Sequence, residues 1–345
     1  MAVSCVGIVR WSVLMLTLMF AGCGDRPAAG EAGGTDAEHE GSAPGLTRVI
    51  LQTDWYPQPE HAGFYLASLA GWYQELGLEV EIRPGGFPGS LPQLVATNEV
   101  QFALGTSDNV LVARGRGIPL VSLLPYFQHD PQCVMFHKSA AITALSDLDG
   151  RRVMVNPGAT YVAWMQQSLG IRLQLIPLDY SIARFLSDPD FVQQCFVTSE
   201  PWYVEQQGVE VGVLPLSTSG FDPYRVVYAS DNYVSAHPDV VRAFVKASLR
   251  GWRAYAEGDF ERVHARIAEL NPGQTLPFMT WTREQMQKHG LFGVDSADGA
   301  GIGTISKTRV QTLIDQLDSL GLLEQPIKVE ESFALDVVPD GLLVE

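Results

Sequence analysis

Residues 48–85 read RVILQTDWYPQPEHAGFYLASLAGWYQELGLEVEIRPG. The opening run "RVILQT" is apolar and β-branched. It gives way to a polar, aromatic and proline-rich turn, and then to a segment in which Ala62, Tyr65, Leu66, Leu69 and Tyr73 recur at helical intervals. Pro59 suits the first turn of that helix and Gly77 its exit, and "LEVEIRPG" follows as a second strand. Strand, loop, helix, strand in this order is the unit from which a parallel α/β sheet is built.

The same alternation continues outward. "LPQLVATNE", "VQFALG" and "SDNVLVARGRG" complete a first set. A second set runs from "CVMFHK" through "SDLDGRRVMVNPGATYVAWMQQSLG" and "LQLIPL" to "FVQQCFVTSEPWYVEQQG" and "VGVLPL". Beyond "RVVYAS" the chain turns helical, with "HPDVVRAFVKASLRGWRAYAEG" and "TRVQTLIDQLDSLGLL" carrying apolar residues at helical spacing. No fixed-period repeat is visible, which excludes a solenoid. At 345 residues and 18% charged content the chain has length for two lobes, each with its own core.

The N-terminus has a different character. Residues 1–22 hold one charge, Arg10, followed by the apolar run "WSVLMLTLMFAG", which is short for a membrane span and has the layout of an export signal. The run ends "FAGC" and resembles the bacterial lipoprotein signal, in which the cysteine, here Cys23, is acylated and becomes the mature N-terminus. Residues 24–46 are Gly, Ala, Pro and acid without periodicity, a tether with a coil reach of roughly 26 Å. Loss of Arg10 takes the formal charge from −16 to −17, which makes nucleic acid a poor partner. Of the four cysteines, this leaves Cys133 and Cys195 in an oxidising compartment. Both stand in apolar runs and read as small buried thiols, with pairing as the alternative.

The order of "W-x-P-x-x-x-H-x-x-x-x-x-A" from Trp55, "G-x-x-D" from Gly105, "LDGRRVMVNPG" from Leu148 and "HPDVV-x-A-F" from His237 resembles a group of periplasmic binding proteins. That group includes thiamine-pyrimidine, riboflavin and alkanesulfonate binders and shares its fold with fungal pyrimidine-precursor synthases. The resemblance runs from about residue 48 to 322. It implies a bilobal α/β body of the periplasmic-binding-protein type II fold, with two crossovers between lobes and ligand in the cleft. Lobe one is expected over 47–135 and 222–345, lobe two over 136–221. The implied partners are an ABC permease and its ATPase, with a lipid anchor to the membrane and a monomeric body. The implied location is exported, periplasmic or cell-surface.

Candidate site residues fall where strands end. Asp54 and Trp55 leave the first strand as a polar edge reader and an aromatic face, which a flat heterocycle needs. His61 and Tyr65 lie on the helix that follows. In "GTSDN", Gly105, Thr106 and Ser107 join a strand to a helix whose free N–H groups face a ligand. In "NPGATYVAW" the same junction offers Asn156, Thr160 and Tyr161. In "TSEPW", Glu200 stands before Pro201 and beside Trp202, and its carboxylate suits the paired, charge-assisted hydrogen bonds of an aminopyrimidine.

His61 also matches the histidine that the resembling synthases consume. Those enzymes further need a pyridoxal-phosphate lysine where this chain has Gly105, and residues 84–137 contain no lysine. Their cysteine-rich run is absent from "GFDPYRVVYASDNYV". No H-E-x-x-H, C-x-x-C or G-x-S-x-G occurs, so no metal, cofactor or esterase nucleophile is expected. The expectation is a lipid-anchored solute receptor for a thiamine pyrimidine precursor. Riboflavin, an alkanesulfonate and the synthase stand as alternatives.

Overall fold

The alternation seen in the sequence builds two five-stranded sheets. The computed structural model describes residues 45–86, 91–293, 301–337, 339 and 342–344. The export signal, Cys23 and the tether as far as residue 44 lie outside the described residues.

The first sheet begins with β1 (Thr47–Gln52), helix α1 (Ala62–Leu69), β2 (Leu78–Arg83), β3 (Phe102–Thr106), helix α2 (Ser107–Gly115) and β4 (Leu120–Phe127). The chain then crosses and lays down β5 (Gln132–His137), β6 (Arg152–Val155), α3 (Thr160–Ser168), β7 (Gln174–Pro177), β8 (Val192–Phe196), α4 (Glu200–Glu205) and β9 (Val211–Pro215). It returns as β10 (Arg225–Ser230), followed by α5 (Pro238–Glu257), α6 (Leu276–Lys288) and α7 (Lys307–Ser319).

The two sheets share one plan. Their orders are β2-β1-β3-β10-β4 and β7-β6-β8-β5-β9. In each, three parallel strands are followed by one antiparallel strand that arrives from a crossover. The body is thus a bilobal α/β fold. Because β5 pairs with β8 and β9 from its first residues, the outgoing crossover falls between Phe127 and Gln132, earlier than the expected boundary after residue 135.

The structure departs from two of the sequence expectations. The helix predicted over 59–76 forms as a 3₁₀ turn, Pro59–His61, then α1, and then a separate turn at Trp72–Glu75. Gly71 causes the last break, at φ +75°, a left-handed conformation that interrupts the helical ladder and favours glycine. Cys133 and Cys195 are not free thiols. They stand directly opposite each other on antiparallel β5 and β8, with Cα atoms 4.9 Å apart, and form a disulfide.

The first lobe's core is aromatic. Trp252 of α5 is fully buried, stacked on Tyr126 at 5.4 Å between centroids and edge-on to Phe64 at 5.5 Å. This packing requires α5 to approach α1 closely, and glycines on both helices permit it. A Cβ on Gly251 would lie 2.0 Å from the carbonyl oxygen of Gly63. Gly251→Ala is therefore expected to overpack the crossing and cost about 1–3 kcal/mol. In urea this appears as a lowered midpoint with unchanged m; an unshifted midpoint would show that the helices part freely.

Candidate functional site

In open α/β sheets the crevice forms outside the carboxyl ends of strands, and here β1, β3, β6 and β8 direct their ends toward the space between the lobes. A cavity of about 130 Å³ lies there. From the first lobe it is lined by Thr106, Asp108 and Asn109 of the β3–α2 junction. From the second it is lined by Asn156, Thr160 and Tyr161 of the β6–α3 junction and by Gln194 of β8. The crossovers add Asp130, Gln132 and Phe221. The two strand-loop-helix junctions singled out in the sequence therefore meet across one space.

The lobes touch around this cavity. The Thr160 hydroxyl donates to Asp108 Oδ2 across it. The Thr198 hydroxyl donates to Glu60 Oε1 at 2.6 Å, and that of Thr282 to the Thr198 carbonyl at 2.9 Å. Trp55 packs on Tyr180 of the other lobe, with centroids 5.3 Å apart. The crossovers are tied to each other where His129 Nδ1 meets Asp222 Oδ2 at 2.6 Å, and Arg309 also reaches Asp222 at 3.0 Å.

Two buried aspartates border the cavity. Asp108 is 4% exposed and Asp130 is 9% exposed, yet Asp108 Oδ1 and Asp130 Oδ2 have no hydrogen-bond partner among the described residues. Arg225 comes within 3.9 Å of Asp130, too far for a hydrogen bond. Burial accordingly dominates, and pushes the Asp130 carboxyl up to about 7 in spite of the guanidinium.

Several predicted site residues are absent from the cavity lining and are engaged by other groups of the protein. Asp54 is not a free edge reader: Oδ1 accepts from His61 Nε2 at 3.0 Å and Oδ2 from Arg225. Burial alone would raise the Asp54 carboxyl, but Arg225 and His61 outweigh it and hold the group well below the usual range. His61 is 1% exposed and serves Asp54. Tyr65 sits in the first lobe's core.

Gly105 faces the Tyr228 ring, which would stand 3.1 Å from a Cβ there. Ser107 is buried and clips the β3–α2 junction to the returning crossover, donating its N–H to the Tyr224 carbonyl at 2.9 Å and accepting from the Tyr224 N–H at 3.0 Å. Glu200 also turns inward. Its Oε2 accepts from the Phe196 N–H at 2.8 Å, and the side chain does not line the cavity. A carboxylate at a strand end has this local option, and here it wins. Trp202 packs on Trp281 and Phe278, at 5.4 and 6.0 Å.

Of the predicted set, Thr106, Asn156, Thr160 and Tyr161 line the cavity, and Trp55 stands where the lobes touch. The sequence reading missed Asp108, Asp130, Gln132 and Gln194. Asp108 lay within the quoted "GTSDN", as the acid in the first turn of α2. Asp130 carried one signal, an isolated charge between two apolar strands.

Comparison with known proteins places this geometry in context. Residues 58–258 match the family described as NMT1/THI5 like. The riboflavin-binding protein RibY of Chloroflexus aurantiacus is 26% identical over 97% of this chain and 98% of its own length. The formylaminopyrimidine-binding protein of Halalkalibacterium halodurans is 23% identical over 84% and 90%. Among solved structures, the periplasmic aliphatic sulphonate binding protein SsuA of Escherichia coli superposes with a TM-score of 0.63 at 12% identity, covering 84% of this chain and 92% of its own.

Proposed function

Since the chain belongs to the NMT1/THI5-like family, we propose that it is the extracytoplasmic solute-binding component of an ATP-driven importer, and that its solute is a small aminated nitrogen heterocycle such as a thiamine pyrimidine precursor. One observation carries the choice of ligand: two buried carboxylate oxygens, Asp108 Oδ1 and Asp130 Oδ2, line the cleft without a hydrogen-bond donor among the described residues. An exocyclic amine supplies the missing N–H groups, and hydrogen bonds to ionised acceptors are the stronger kind. A sulfonate would bring negative charge to two carboxylates instead. At about 130 Å³ the cavity lies below the ~300–1,000 Å³ of drug-sized sites, which suits a single ring.

Ligand held by groups from both lobes favours the closed arrangement over the open one, by the difference in its affinity for the two. The permease need recognise only the closed form. The lipoprotein signal ending at Cys23 would anchor the body, and a tether of roughly 26 Å would let it face the permease from the membrane surface.

The synthase reading fares worse on geometry. The position where such an enzyme carries its pyridoxal-phosphate lysine is Gly105, where a Cβ would stand 3.1 Å from the Tyr228 ring, a tight contact.

A thermal-shift series on the full chain tests the proposal, with aminopyrimidines, thiamine, riboflavin, alkanesulfonates and pyridoxal phosphate. A ligand at a hundred times its Kd adds about 2.7 kcal/mol. Stabilisation by aminopyrimidines is expected. Stabilisation by an alkanesulfonate or pyridoxal phosphate, with none by aminopyrimidines, would overturn it.

A further inference from the structure

Two amides of the cavity lining have their oxygens engaged: Asn156 Oδ1 accepts from the Gly158 N–H at 3.2 Å, and Gln194 is held from two sides. Gln194 Oε1 receives two hydrogen bonds, from the Asn156 backbone N–H at 3.0 Å and from the Tyr161 hydroxyl. A backbone N–H can only donate, so it fixes which end of the Gln194 amide is oxygen. The other end, Nε2, has no hydrogen-bond partner among the described residues, and Gln194 lines the cavity. The amide is therefore oriented before any ligand arrives, with its NH₂ left for the space that Asp108 and Asp130 also border.

We infer that Gln194 is a specificity-determining residue that reads an unprotonated ring nitrogen of the ligand. This inference rests on the proposed function and narrows it. The two carboxylates take N–H donors and cannot distinguish an aminopyrimidine from any other flat amine. Gln194 Nε2 is a donor and demands an acceptor. A heterocycle that presents an amine and a bare ring nitrogen satisfies both kinds of group; a carbocyclic amine of the same shape leaves Nε2 unpaired. Because burial of an unpaired polar group carries the full desolvation penalty, discrimination against the carbocycle follows. Rotating the amide to suit such a ligand would set Nε2–H₂ against the Asn156 N–H, which can only donate, so a flip is opposed.

The probes are 4-amino-2-methylpyrimidine and 3-methylaniline, which keeps the outline and the amine but has carbon in place of both ring nitrogens. The variant is Gln194→Glu, which retains an acceptor for Asn156 and Tyr161 and turns only the donating end into an acceptor. Calorimetry on the full chain should show at least tenfold preference for the pyrimidine in the wild type. In Gln194→Glu that ratio should collapse toward unity, with the methylaniline affinity nearly unchanged. A merely structural role would weaken both probes alike and preserve the ratio, which would overturn the inference. Equal binding of both probes by the wild type would also overturn it while leaving the receptor reading intact. Binding of neither probe would remove the receptor reading and this inference together.

Discussion

Arg225→Met is expected to lower the melting temperature by roughly 10 °C at pH 8. The side chain is 8% exposed and lies between Asp54 and Asp130, forming an ion pair with the first and a looser one with the second. Removing one partner of a buried pair costs about 3–5 kcal/mol, because the other charge stays buried without compensation. At ~2 °C per kcal/mol, the low end of the range that holds for large domains, a shift of this order follows.

The pH dependence has a definite sign. In the wild type the Asp54 carboxyl is held low, so its contribution is present above the ordinary carboxylate range and lost as pH falls through its folded value. Without Arg225, burial raises both carboxyls, and stability is then greatest in acid and falls as pH rises. The deficit of Arg225→Met should therefore shrink at pH 4.5. Adding Asp54→Asn to the variant should recover part of it, read as a double-mutant cycle. A melting point within 2 °C of wild type at pH 8 would refute the argument.

Asp130→Asn should act in opposite directions on stability and on binding. The Asp130 carboxyl is pushed from 3.8 to about 7 by burial. A group raised in this way contributes stability that is complete below its unfolded value and lost as pH rises through about 7. At pH 8 the unliganded protein thus carries an ionised, buried and incompletely paired carboxylate, at a cost of a few kcal/mol and no more than about 4. Asparagine keeps the acceptor that Asp130 Oδ1 offers to the Gln132 N–H at 2.8 Å and removes the charge. Denaturation at pH 8 should show the variant more stable by a few kcal/mol, with the gain vanishing near pH 4. Its affinity for an aminopyrimidine should fall at least tenfold, since the amine loses a charged acceptor. Such opposition is usual where a site is held in a strained charge state for its ligand. A variant less stable than wild type at pH 8 would mean that Arg225 already compensates the charge.

The sequence by itself determined the class of the fold and two edges of the cleft. Hydrophobic periodicity and the placing of Gly and Pro are short-range signals, so strands, helices and the junctions carrying Thr106, Asn156, Thr160 and Tyr161 could be read directly. The motif order, from Trp55 to the "HPDVV" helix, supplied the bilobal plan. Tertiary structure alone decided which polar groups face the ligand space.

Asp54 looked free because its partner cannot be seen locally: Arg225 arrives on the returning strand, 171 residues after Asp54. Glu200 had a choice between the cleft and the backbone N–H of Phe196, and only its packing selects the second. The disulfide likewise depends on strand register, which sets Cys133 opposite Cys195 across 62 residues of chain. Asp130 and Gln194 became visible last, because an unpartnered donor or acceptor is defined by everything that surrounds it. Periodicity records how a residue sits on its own element, while the balance of desolvation, charge and hydrogen bonding in the cleft is set by groups that only folding brings together.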